Sequence, residues 1–125
     1  MRSALTTITD AEGRVICERC LVADRPHTRL RGLLGRRELA RDEGLLLCPA
    51  PSIHTWFMRF PIDAVFLDGH LRVIGVSPDV VPWRVAARHG ARAVLELAAG
   101  EAGRRRLEAG ASLMLLDSDG APHAA

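Results

Sequence analysis

Short apolar runs recur along the chain, broken at close intervals by glycine, proline and aspartate, and this spacing predicts many short strands rather than long helices. Residues 5–8 and 15–22 read as two strands joined by the turn Asp10-Ala11-Glu12-Gly13. Asp24 is placed to cap a short helix with Pro26 in its first turn, ending at Gly35. Leu30, Leu33 and Leu34 fall on one face of that helix, which is therefore expected to lie against the sheet. Further strands are predicted at 45–47, 54–58, 62–67, 70–76, 94–97 and 112–116, with a second short helix over 101–109 stopped by Gly110.

The clearest local signal is the pair of runs flanking Asp68-Gly69, which predicts a hairpin closed by a two-residue turn. In that register Ala64, Phe66, Leu71 and Val73 share the more apolar face, and Asp63, Val65, Arg72 and Ile74 the other. Residues 77–90, with Pro78, Pro82 and Trp83, read as a long ordered loop or an edge strand, and 117–125 as a polar tail expected to fray. The fold class that follows is mainly β: a compact antiparallel sandwich or small barrel with one or two short helices, spanning residues 1–125 as a single domain.

Composition narrows the function classes. Of the 125 residues 48% are apolar, enough to bury a core without disulfides or metals, and disorder is excluded as a description of the whole. All 17 basic residues are arginine, and lysine, asparagine, glutamine and tyrosine are absent, which points to a codon bias rather than to selection for a polyanion. The net charge of +2 is accordingly weak support for nucleic acid, a partner this reading disfavours. Asp10 interrupts the N-terminal apolar residues, so no export signal is expected, and the longest uncharged run, 44–58, is broken by prolines and too short to span a bilayer. A cytoplasmic location and no membrane association are expected. Three cysteines, an odd number, suit that compartment better than a disulfide framework.

Candidate chemistry concentrates in 52–68, which holds Trp56, all three phenylalanines, His54, Arg59 and Asp63. His54, Arg59, Asp63 and Glu96 sit among apolar neighbours, where ionised groups need partners. The structural explanation is an Arg59–Asp63 or Arg31–Glu96 ion pair, and it outranks catalysis. The functional one is a cleft with Trp56 or Trp83 as its floor, lined by Arg31, His54, Arg59, Asp63 and Glu96, and binding an unidentified small molecule or protein segment without catalysis. A hydrolase-like or lyase-like enzyme using His54 with Asp63 or Glu96 is the alternative. The arginines between Arg25 and Arg41 offer a further one, phosphate contacts to nucleic acid, although no aromatic residues interleave them. Cys17 and Cys20 have the spacing of a redox or metal knuckle. On a regular strand, however, residues three apart face opposite sides, so ordinary core thiols are expected, and no metal or cofactor.

Several ordered pieces resemble the family of domain of unknown function 192: Arg31-Gly32-Leu33-Leu34-Gly35-Arg36 with Leu39, then Glu43-Gly44-Leu45-Leu46, the signature 52–68, Val94-Leu95-Glu96-Leu97-Ala98-Ala99-Gly100, and Gly110. The resemblance implies a compact, mostly antiparallel β domain with one or two helices and no established reaction. This chain departs from it at Met58-Arg59-Phe60, where many members of that family carry Met-Lys-Asn.

Overall fold

The computed structural model describes residues 5–24 and 36–116. In chain order these form β1 (Leu5–Asp10), β2 (Val15–Ala23), β3 (Glu43–Leu47), β4 (Ser52–His54), β5 (Ile62–Leu67), β6 (Val73–Val80), β7 (Val85–Ala87), β8 (Ala93–Ala98), the helix α1 (Glu101–Arg104) and β9 (Leu113–Leu116). Seven strands make one sheet in the order β6-β5-β8-β3-β2-β1-β9, and β4 and β7 make a separate two-stranded ribbon. The protein is thus mainly β, as the apolar spacing predicts. The sheet is mixed rather than wholly antiparallel, because β2 and β3 run parallel. A parallel pair needs a crossover where an antiparallel one needs only a turn, and residues 24–42 provide it. The helix expected over 24–35 falls there, and residues 25–35 lie outside the described residues.

The two central strands explain the layering. Every residue of β5 and nearly every one of β8 is buried, which requires apolar cover on both faces. One face packs Leu45, Leu47, Ile62, Ala64, Phe66 and Val94 against Ile53 of the ribbon and against Met58 and Phe60. The other gathers Ile8, Ile16, Leu46, Val65, Leu67, Leu95, Leu97 and Leu107, together with Val73 from one end of the strand order and Leu113 from the other. Strands at opposite ends of the order share that second cluster because the sheet curls on itself. A single bridge, Arg72 to Ser112, joins the chain entering β6 to the chain entering β9. No continuous ladder links them, so the barrel is not closed.

Three local expectations are corrected. The β5–β6 connection is not a two-residue turn: the Asp68 carboxylate accepts the N–H groups of His70 and Arg72, and Leu71 takes φ 62°. The longer loop and a register shift pair Leu67 with Val73, so Val73 lies with Val65 and Leu67 while Ile74 packs on the face of Ala64 and Phe66. The helix expected to reach residue 109 ends at Arg104. Arg106 adopts φ 57°, its N–H donates to Gly103, and the Leu107 N–H donates back to Ala102. That Schellman arrangement drops Leu107 into the core beside Ala102. The strand expected at 54–58 stops at His54, where Thr55 begins a turn.

Cys17 and Cys20 also differ from the expectation. Thr6 pairs with Cys20 and Ile8 with Cys17, so β2 advances three residues while β1 advances two. The bulge at Glu18-Arg19 turns both thiols into one core cluster instead of sending them apart. The neighbouring Cys20 thiol holds Cys17 below the usual thiol range, whereas Cys17 and burial push Cys20 well above it, and each sulfur donates to a backbone carbonyl, that of Asp42 and that of Leu21. Gly44 leaves the room, since a Cβ there would stand 2.9 Å from the Cys17 sulfur.

Candidate functional site

Thr55 organises the surface around the two tryptophans. It is wholly buried. Its hydroxyl donates to the Val81 carbonyl at 2.7 Å and accepts the Arg84 N–H at 2.9 Å. Its backbone N–H donates to Arg84 O at 2.8 Å, and its carbonyl accepts the N–H of Trp83 at 3.0 Å. Through this one residue the turn after β4 is fastened to the turn before β7. Threonine suits the position because the site is buried and needs one donor and one acceptor on a short stem.

Beyond that clamp the aromatic side chains face solvent. Trp56 is 46% exposed, Phe57 68% and Trp83 57%. The His54 ring stacks on Trp56 with centroids 4.7 Å apart, and Phe57 meets Trp83 edge to face, also at 4.7 Å. Phe57 and Trp83 both occupy left-handed backbone, at φ 66° and 68°. Bulky residues avoid that region at a cost on the order of 1–3 kcal/mol each. Val81 and Val85 add exposed apolar area beside them. Phe57, Val81 and Val85 belong to this exposed surface although their positions carry no periodicity that could mark them, because they lie in turns or on a three-residue strand.

Two acidic candidates lie elsewhere and apart from each other. Asp63 sits on β5 on the side opposite Ala64, with Oδ1 accepting the N–H of Asp79 at 2.9 Å and Oδ2 accepting those of Gly100 at 3.0 Å and Ala102 at 2.9 Å. It fastens a bulge of β6 to the start of α1. The expected Arg59–Asp63 pair does not form; Arg59 is exposed and in no ion pair among the described residues. Glu96 lies on the other face, between Leu45 and Ala64 on neighbouring strands. It is 4% exposed, and no hydrogen bond or ion pair reaches its carboxyl from a described residue. Burial pushes that carboxyl up to about 8. Arg31, its expected partner, lies outside the described residues.

The structure therefore brings together His54, Trp56 and Trp83, with Arg59 on the same turn, and separates them from Asp63. Of the arginine-rich stretch, Arg36 is held by Glu43 at 2.8 Å, and Arg25, Arg29 and Arg31 are outside the described residues. No cluster of histidine, cysteine and carboxylate side chains among the described residues is arranged to hold a metal ion. No described helix is long and apolar enough to cross a membrane.

Two solved structures share this architecture. One, a proposed transcription regulator from Sinorhizobium meliloti 1021, is 24% identical with a TM-score of 0.81, over 92% of this chain and 96% of that one. The other, a protein of unknown function from Novosphingobium aromaticivorans DSM 12444, is 26% identical with a TM-score of 0.75, over 87% of this chain and 82% of that one. They establish the fold and assign no activity. No curated protein matches. The model of the DUF192 family, described as "Uncharacterized ACR", matches residues 7–115, from within β1 to within β9, and the chain belongs to that family.

Proposed function

We propose that this protein is a non-catalytic binding domain whose contact surface is the His54, Trp56, Phe57 and Trp83 cluster, with Arg59 and Arg84 at its rim. The ligand is a small molecule or a segment of a partner protein. One observation carries the reading: two large aromatic residues are held in strained backbone by a buried clamp, yet contribute most of their surface to solvent. Strain that stabilises nothing in the core is the mark of a site kept for contact. Trp and Arg around an apolar centre are also the usual composition of binding hot spots.

The acid–base alternative gains less support. Asp63 is occupied by three backbone N–H groups, and His54 projects from the outer face of the ribbon whose inner residue, Ile53, covers the sheet. Phe57→Gly and Trp83→Gly provide the test. Both are expected to leave Tm at or above the wild-type value and to abolish the thermal shift produced by any ligand found in a chemically broad screen. Loss of Tm in both variants, or a ligand response that survives both, contradicts the proposal.

A further inference from the structure

The ribbon has an inner and an outer strand. β4 lies against β8, whereas Arg88, directly after β7, reaches the edge strand β6. There its Nη2 donates to the Val76 carbonyl at 2.8 Å, over Gly75, whose missing Cβ would stand 2.7 Å from the guanidinium. β7 pairs only with β4 among the described strands, so its far side is an open edge of the ribbon. The Thr55 N–H bond to Arg84 O fixes the phase of the ladder, because hydrogen-bonded and non-hydrogen-bonded pairs alternate in an antiparallel ribbon. Ile53 and Ala86 then face each other with bonds, while the N–H and C=O groups of Val85 and Ala87 point outward. An edge of this kind is a template for another strand.

Charge selects what can lie along it. Residues 52–60 and 80–90 contain Arg59, Arg84, Arg88, His54 and His89 and not one aspartate or glutamate, in a chain that has 15 acidic residues elsewhere. None of the three arginines is in an ion pair among the described residues. The exposed valines Val81 and Val85 suit aliphatic side chains better than nucleobases, which stack on rings. We infer that the outer edge of β7 takes an extended, acidic polypeptide segment as an added strand, with alternate apolar side chains resting on Trp83, Phe57 and Val85 and its carboxylates facing Arg59 and Arg84. This rests on the aromatic surface being the contact site.

Both tryptophans of the chain lie in that surface, so intrinsic fluorescence of the whole protein reports occupancy directly. The probe is the capped peptide Glu-Val-Glu-Leu-Glu-Val-Glu. Saturable perturbation of the tryptophan emission is expected, weakened at least about tenfold by N-methylation at alternate residues, by replacing every Glu with Lys, or by Arg84→Glu. Equal binding of the lysine peptide, indifference to N-methylation, or no saturable change overturns the inference. Titrations with single-stranded DNA and with anionic vesicles, and sedimentation of the protein alone, separate the two levels. A response to DNA, lipid or self-association that Trp83→Gly removes, without one to the peptide, sinks the added strand and keeps the surface; silence of every probe sinks both.

Discussion

At Glu96 a carboxyl group is surrounded by Leu45, Ala64 and Val94 with no described partner, and its ionisation is therefore set by burial alone. The folded protein keeps the proton up to about 8, whereas the unfolded chain releases it near the ordinary value of 4.5. Between those two values the folded state binds more protons, so its stability falls as pH rises through that window and is fully restored below it. The loss is bounded by roughly 5 kcal/mol. Glu96→Gln, which cannot ionise, is expected to lose less stability than the wild type as pH rises from 5 to 9 and to exceed it at the alkaline end, read by denaturant titration at each pH. Parallel pH profiles for the two proteins would show that the glutamate is not held protonated by its surroundings.

Between elements the same side-chain chemistry serves a different end. Asp63 supplies acceptors to three backbone N–H groups on β6, at the β8–α1 corner and on α1, at a position 1% exposed. Its removal orphans all three donors at once. Asp63→Ala is expected to cost ~3–5 kcal/mol in chemical denaturation, and Arg59→Ala within about 0.5 kcal/mol of nothing, since Arg59 is exposed and in no ion pair among the described residues. A large cost at Arg59 would restore the ion pair that sequence alone suggests. That pair illustrates where legibility stopped. Val65, Leu67, Leu95 and Leu97 announce their strands by composition, and the mainly β class follows from them. The parallel pairing of β2 with β3 and the curl joined at Arg72 and Ser112 depend on long-range contacts that leave no local mark, and the early stop of α1 on a left-handed Arg106, a conformation that residues other than glycine rarely adopt. One bulge residue decides whether Cys17 and Cys20 diverge or meet.

For the whole molecule, the sequence concentrates aromatic and polar residues in 52–68, and the fold divides them among three places. His54, Trp56 and Phe57 go to an outer surface, Asp63 to a structural corner, and Met58 and Phe60 to the core under the ribbon. A dense motif therefore pointed to the region of the exposed aromatic surface without defining which residues face it, because the turn at Thr55 and the left-handed Phe57 break the alternation from which facing is normally read. Trp83, a candidate from composition, joins the same surface from 29 residues beyond His54 through a hydroxyl that no pattern flags. The central claim is that this surface is maintained at the expense of stability. Its most direct measurement is the unfolding free energy of Phe57→Gly against wild type in denaturant. Glycine relieves a positive φ and gives up a side chain already 68% exposed, so the variant is expected to be as stable as the wild type or about 1 kcal/mol more so. A loss of ~2 kcal/mol or more would mean that Phe57 is there to hold the fold together, and would contradict the account.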